Sequence, residues 1–297
     1  MSQTTIRVGA RGSSLSLAQT GWLLEQLRAA NPGLQTELIV IKTQGDKDQT
    51  SALTDMLWAP GAFVKEIEKA LLEGQIDLAV HSLKDLPTEV VPGLTLAAMP
   101  RRAPSHDVLL TRKPLSLDAL PEGFVVATGS PRRVHQLRAK CPHIETTPVR
   151  GNVPTRIRKL EAGEYDGIVL AAAGLQRLSI TFPHVIPLMP PDFLPAPGQG
   201  ALAAQTREGD KWIAMVAKID DAATRAAVVA ERAFLAACGG GCHAALGALG
   251  SVDGKELTVR GQLFEDGAVL HGEVKGPVEQ AEFLGEELSR VVFGSRG

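Results

Sequence analysis

Phe124-Val125-Val126-Ala127-Thr128-Gly129-Ser130-Pro131-Arg132-Arg133 is the stretch on which the fold turns. Its first half is apolar and β-branched, which reads as a strand over Phe124–Thr128. Gly129 allows a turn, Ser130 is a preferred helix N-cap, and Pro131 suits the first helical position. A helix then follows over Arg132–Lys140. Strand, tight turn and helix in immediate succession are the repeating unit of an α/β sheet.

The same unit recurs on both sides. Upstream, Ile6–Ala10, Glu37–Ile41 and Ile76–Val80 read as strands, and Ser14–Ala29 and Val64–Glu73 as amphipathic helices. Downstream come Glu145–Val149 (strand), Thr155–Ala162 (helix) and Asp166–Ala172 (strand). This alternation predicts parallel-type sheets covered by helices on both faces. Met99-Pro100-Arg101-Arg102-Ala103-Pro104 reads as a linker, and a second Pro-rich crossing runs from Pro183 to Pro197 and ends in Pro197-Gly198-Gln199-Gly200. Two crossings imply that the chain leaves one domain, builds another and returns. Past Asp220 the texture changes to a helix (Ala222–Ala237), a Gly-rich turn, strands near Leu246–Val252, Glu256–Phe264 and Ala268–Val274, and a last helix near Val278–Val292, a small α+β domain.

A chain of 297 residues is too long for one ordinary core, and 44% hydrophobic with 22% charged residues is a globular composition. A net charge of −2 gives no general attraction to nucleic acid. No apolar run is long enough for a bilayer, and no signal-peptide core follows Met1, so a cytoplasmic location is expected. Cys141, Cys238 and Cys242 are an odd count in the reducing compartment expected here, so no disulfide framework is expected, and without a CxxC or HxxxH pair no metal site is expected.

Arginines gather where strands give way to helices. They occur in Gly9-Ala10-Arg11-Gly12-Ser13-Ser14, with Ser13 a cap, and in Thr128-Gly129-Ser130-Pro131-Arg132-Arg133, with Ser130 a cap. They recur in Arg150-Gly151-Asn152-Val153-Pro154-Thr155-Arg156, with Asn152 a cap, and in Ala172-Ala173-Gly174-Leu175-Gln176-Arg177. The helix dipole disfavours cations in a first turn, so Arg132 and Arg133 call for something anionic beside them. Exposed N–H groups at helix starts, at the strand ends where open α/β sheets bind ligands, already favour anions, and arginine adds bidentate recognition of carboxylates. Together they predict a ligand with several negative groups held between two α/β domains; ordinary surface ion pairs are the alternative for any single arginine.

Two further segments carry chemistry. Asp77-Leu78-Ala79-Val80 runs into His81-Ser82-Leu83-Lys84-Asp85-Leu86-Pro87, where Asp85 is placed either to act as an acid/base or to stabilise a cation, or else to pair with Lys84 in a plain turn. In Gly239-Gly240-Gly241-Cys242-His243 three glycines leave the thiol unshielded, as a nucleophile or an attachment point, or as an inert residue after a helix cap.

Taken together these motifs resemble the porphobilinogen deaminase (hydroxymethylbilane synthase) family. The resemblance covers nearly the whole chain and is strongest in Phe63-Val64-Lys65-Glu66-Ile67-Glu68, Asp77 to Asp85, Arg150-Gly151-Asn152, Leu194-Pro195-Ala196-Pro197-Gly198-Gln199-Gly200-Ala201 and Glu231-Arg232-Ala233 through Cys242. It implies two doubly wound, periplasmic-binding-protein-like α/β domains (1–100 with 200–219, and 101–199) and a C-terminal domain (220–297) with a three-stranded antiparallel sheet. It implies a dipyrromethane cofactor joined by a thioether to Cys242. Four porphobilinogens would be deaminated in turn, coupled head to tail, and released as hydroxymethylbilane. Asp85 would be the catalytic carboxylate. Arg132, Arg133 and Arg156, with Lys84, Ser82, Ser13, Thr128, Ser130 and Gln199, would hold the cofactor. Arg11, Arg150 and Arg177 would hold the substrate. A monomer with no metal, nucleic acid or membrane partner is implied.

Some positions depart from the family pattern. Asp55-Met56-Leu57-Trp58-Ala59-Pro60-Gly61-Ala62 stands where lysines and a Gly-rich stretch are usual, Ser14 and Ala245 stand for prolines, and Gly129 for a serine. A solute-binding module and an inactive family member are the competing readings; the Gly-Gly-Cys turn speaks against the first, and the altered loop motivates the second.

Overall fold

The computed structural model describes residues 5–42, 64–239, 245–265 and 267–294. In chain order the first elements are β1 (Thr5–Arg11), α1 (Ser14–Ala30), β2 (Gln35–Ile41), α2 (Lys65–Leu72), β3 (Leu78–Ser82) and β4 (Leu94–Ala98). Next come β5 (Asp107–Thr111), β6 (Val125–Ala127), α3 (Pro131–Lys140), β7 (Glu145–Thr147), α4 (Val153–Glu161), β8 (Gly167–Ala171), α5 (Ala172–Arg177) and β9 (Val185–Leu188). The chain closes with β10 (Leu202–Arg207), α6 (Ile213–Val216), α7 (Ala222–Ala237), β11 (Leu246–Asp253), β12 (Glu256–Glu265), β13 (Ala268–Pro277) and α8 (Ala281–Gly294).

These elements form two compact units, Met1–Ala103 with Ala201–Arg225, and Pro104–Gly200 with Ala226–Gly297. The first holds a five-stranded sheet in the order β2-β1-β3-β10-β4, and the second holds one in the order β7-β6-β8-β5-β9 together with the antiparallel sheet β11-β12-β13. The sheets are mixed, which corrects the expectation of parallel-type sheets. β10 runs antiparallel to β3 and β4, and β5 antiparallel to β8 and β9. Each is the first strand after one of the Pro-rich crossings.

Alternation of side chains wraps each sheet on both faces. In the second unit Val108, Leu110, Ala127, Ile168 and Leu170 pack with Ile157 and Leu160 of α4. The residues between them, Leu109, Val126 and Val169, pack with Leu137 and Cys141 near the end of α3. In the first unit Ile6, Val8, Leu78 and Val80 meet Leu23, Leu24 and Leu27 of α1, while Ala79 meets Ile67, Ala70 and Leu71 of α2. Each such leucine stabilises by about 1.5–3 kcal/mol through burial. A Cβ at Gly9 of β1 would lie 2.3 Å from Ile76 Cδ1, so the end of the Ile76 side chain would have to move to admit one. In the C-terminal part Phe234 of α7 and Leu284, Leu288 and Val292 of α8 join Leu257 and Val259 of β12 in one core.

Candidate functional site

In a sheet ordered 2-1-3, the chain turns opposite ways after its first and third strands, and the crevice at their C-terminal ends is where ligands bind. In the first unit those strands are β1 and β3, with Val8 beside Leu78 and Gly9 beside Ala79. Their ends deliver Arg11 and Ser13 on one side, and Ser82 and Asp85 on the other, into one pocket of about 70 Å³. Ser13 caps α1 as expected, its Oγ accepting from Ser16 N at 3.2 Å. After β3 the chain makes a single 3-10 turn, Leu83–Asp85, anchored by the fully buried Leu83 and closed by Leu86 N donating to Leu83 O. That turn leaves Asp85 exposed and Lys84 half-buried.

The floor of this pocket is polar and buried. Gln19 of α1 donates to Ser82 Oγ at 2.8 Å. His81 Nε2 lies 3.0 Å from Gln205 Oε1, and Gln205 Nε2 donates to Glu68 Oε1 at 3.0 Å. Because the Gln205 amide turns its N–H to the Glu68 carboxylate, its oxygen faces His81, so the imidazole carries its proton on Nε2. Burial pushes the His81 pKa down to about 4, with the Gln205 hydrogen bond opposing it only in part. His81 is therefore a neutral donor at neutral pH.

The second unit has a different outfit. Arg132 and Arg133, in the first turn of α3, both reach Asp107 at the start of β5. Arg132 Nη2 donates to Asp107 Oδ2 at 2.8 Å, and Arg133 donates from Nε to Oδ2 at 3.1 Å and from Nη2 to Oδ1 at 2.6 Å. Gln199 Nε2 donates to Oδ1 at 2.8 Å. The anion called for beside these arginines is thus supplied in part by the chain itself. Burial would raise the Asp107 pKa, but the two guanidiniums outweigh it and hold the carboxyl well below the usual range.

One capping expectation is corrected. Ser130 occupies the N-cap position of α3, but its side chain makes no capping bond; its own N–H donates to Oγ1 of the buried Thr128 at 3.2 Å, in the turn after β6. Asn152 does cap α4, accepting from Thr155 N at 2.9 Å. The chain reaches it through Gly151, whose φ of +108° a side chain would resist.

Arg156 and Arg177 stand apart from the Asp107 group. Arg156 Nε donates to Gly151 O and Arg177 Nη2 to Gly200 O, both at 2.7 Å. Each is half-buried, and among the described residues neither has a carboxylate within ion-pair distance. Burial lowers the pKa of Arg156, and the nearby Arg133 charge lowers it further. Burial pushes Arg177 to about 10. A guanidinium drawn out of water without a counter-charge is a site shaped for an external anion. Arg150 lies exposed on the turn before α4, and Cys242 lies outside the described residues, as does the 55–62 loop.

The sequence reading missed Asp107, Gln19 and the His81-Gln205-Glu68 chain. Only the first carried a visible signal: an acid opening the apolar run Val108-Leu109-Leu110. Among the described residues no cluster of His, Cys, Asp or Glu is arranged to hold a metal, and no helix is long and apolar enough to cross a membrane.

The first unit thus has a crevice with an exposed carboxylate, and the second has two half-buried guanidiniums, Arg156 and Arg177, with no carboxylate partner among the described residues, the features of an α/β protein with an anion site. The family model described as "Porphobilinogen deaminase, dipyromethane cofactor binding domain" matches residues 6–215, and "Porphobilinogen deaminase, C-terminal domain" matches 225–293. The chain is 43% identical over 298 residues to the porphobilinogen deaminase of Roseiflexus castenholzii, covering 99% of this chain and 98% of that one. It is 47% identical over 261 residues to a probable porphobilinogen deaminase of Pyrobaculum islandicum, covering 87% and 85%. Similar solved structures include the BenM effector binding domain with benzoate, at 18% identity and TM-score 0.41 over 72% of this chain and 89% of that one. The chain belongs to the porphobilinogen deaminase family.

Proposed function

We propose that the chain converts four porphobilinogens and one water, which releases the product by hydrolysis, into hydroxymethylbilane and four ammonia molecules, with Cys242 as the thioether anchor of a dipyrromethane cofactor and Asp85 as the catalytic carboxylate. The observation that carries this reading is the half-buried pair Arg156 and Arg177, each a cation without an acid among the described residues. A pyrrole bearing an acetate and a propionate brings the missing anions, so the residues present fit such a group.

When bound, the dipyrromethane supplies the pyrrole carbon to which the substrate is joined. The chain's own residues do the rest. Arg132, Arg133, Arg156, Thr128, Ser130, Gln199, Ser13, Ser82 and Lys84 are assigned to the cofactor. Arg11, Arg150 and Arg177 hold the substrate carboxylates. Breaking the aminomethyl C–N bond of porphobilinogen releases ammonia and leaves a positive charge spread over the pyrrole. Asp85, at the pocket rim, stabilises that charge and takes the proton later lost from the joined ring. His81, neutral and turned toward Gln205, adds no competing cation to the pocket floor. The protein is further proposed to be a cytoplasmic monomer of three domains, 1–100 with 200–219, 101–199 and 220–297.

Porphobilinogen consumption by the purified protein tests this reading. Steady consumption with ammonia release, nearly abolished in Asp85→Ala at unchanged fold, is expected. No consumption by the parent, or near-parental turnover in the variant, contradicts it.

A further inference from the structure

Asp107 has an environment that charge balance alone does not require. Its two oxygens accept four hydrogen bonds: Oδ1 from Arg133 Nη2 and Gln199 Nε2, Oδ2 from Arg132 Nη2 and Arg133 Nε. Four donors fill the four lone-pair sites of a carboxylate, so Asp107 has no capacity left for a ligand or a proton. It cannot work on the reaction directly.

What it does is geometric. Neighbouring residues on a helix point about 100° apart, since a turn takes about 3.6 residues. Asp107 draws the guanidiniums of Arg132 and Arg133 back to one point. The far side of Arg132 is also gripped, Nη1 donating to Gln136 Oε1 at 2.9 Å and to Leu194 O at 2.7 Å. Gln136 in turn donates to Leu194 O at 2.8 Å and to Gln262 Oε1 of β12 at 2.7 Å. Arg132, with 4% of its side chain exposed, is therefore held from both sides, and Arg133 is held on one edge by Asp107 and on Nη1 by Val169 O at 3.0 Å. Arg156 lies close enough to Arg133 to feel its charge. Three guanidiniums against one carboxylate leave a surplus of two positive charges, which matches the two carboxylates of one pyrrole ring.

We propose that Asp107 is a positioning residue, which locks Arg132 and Arg133 into the one arrangement that receives the cofactor's carboxylates. This rests on the reading of those arginines as cofactor-binding groups. Electrostatics and positioning then predict different outcomes for Asp107→Asn. Removing a negative charge raises the local positive potential, which by itself lowers KM for an anionic substrate and leaves kcat unchanged. Loss of positioning instead lowers kcat and leaves KM, because substrate is held elsewhere.

The test compares parent, Asp107→Asn and Asp107→Glu, with kcat expressed per cofactor-bearing chain counted by intact mass. It also follows solvent exchange of the Arg133 Nε–H by nitrogen-15 NMR, which reads the guanidinium without reference to activity. In Asp107→Asn, kcat is expected to fall about tenfold or more, with KM changed by less than about threefold and Nε–H exchange about tenfold faster, the scale of one lost charge-assisted hydrogen bond. Should Asp107→Asn fail to fold, Asp107→Glu decides: it keeps the charge but shifts the carboxylate by one methylene, and is expected to lower kcat several-fold and speed exchange. Parental kcat per loaded chain and parental exchange in the folded variants overturn the proposal. A parent that consumes no porphobilinogen counts against the proposed function instead, and the exchange measurement still reads Asp107.

Discussion

The two five-stranded sheets share one spatial arrangement, three parallel strands followed by an antiparallel strand and an edge strand, and carry opposite chemistry. In each, an antiparallel strand enters beside the third parallel strand, β10 beside β3 and β5 beside β8. In each, that entering strand bears the buried polar hub. In the first unit the hub is Gln205, neutral, joining His81 to Glu68 beneath an exposed Asp85. In the second it is Asp107, ionised and surrounded by arginines. The difference shows that the topology sets where polar residues meet, while the residues placed there decide whether the crevice presents an acid or cations.

The largest expected effect lies on the acidic side. Asp85→Ala lowers kcat by about 10²–10³-fold, the range for removing one preorganised electrostatic group. Because Asp85 is exposed, the melting temperature stays near the parental value. Steady-state kinetics with a thermal melt check both; a stability loss matching the activity loss would make Asp85 structural and break the contrast.

On the cationic side, function and stability should move in opposite directions. Arg177→Gln raises KM for porphobilinogen about tenfold, the scale of one charge-assisted hydrogen bond. The same change relieves a half-buried cation that has no carboxylate partner among the described residues, so the variant melts a few degrees higher, about 2–4 °C per kcal/mol for a chain of this size class. Lower stability together with unchanged KM would mean that Arg177 holds the fold rather than a ligand.

The smallest effect separates the hubs by pH. The folded-state pKa of His81 lies near 4, below the unfolded value near 6.5. The unfolded chain therefore binds the proton first as pH falls, and stability is lost between about pH 6.5 and 4. At pH 4.5 this is roughly 2–3 kcal/mol, and His81→Asn removes that portion of the pH dependence. Asp107 shifts stability in the same direction but in a lower window: its depressed pKa gives stability that is present above the ordinary carboxylate range and is lost as the pH falls below it. Urea midpoints across pH for parent and His81→Asn measure the first window; identical pH dependence in the two chains would show that His81 is not the titrating group.

Much of this was readable from residues alone, and the gaps have physical causes. The strand-turn-helix units around Arg11, Arg132 and Arg156 are local, set by capping residues, Pro131 and apolar periodicity, and they emerge where expected. β4, β5, β9 and β10 were not foreseen. They are runs of four to six residues with no helical period after them, and a short apolar run does not reveal its partners. With β5 and β10 unseen, their antiparallel direction was unseen too, and so was Asp107, whose partners lie 25 to 92 residues away in the chain. Ser130 shows the converse: its type and place suit a cap, yet Thr128 alone makes the side-chain bond in that turn. The family resemblance identified Asp85 and the arginines by motif, but not that Arg132 and Arg133 share an internal acid while Arg156 and Arg177 have none among the described residues.

The central claim, that the cationic unit serves an organic polyanion fixed to Cys242, is tested most directly by intact mass of the purified protein before and after incubation with porphobilinogen. The parent is expected to exceed the bare polypeptide by one dipyrromethane unit, and Cys242→Ala to show no such increment. Bare polypeptide in the parent after incubation, or the same adduct in Cys242→Ala, would contradict it.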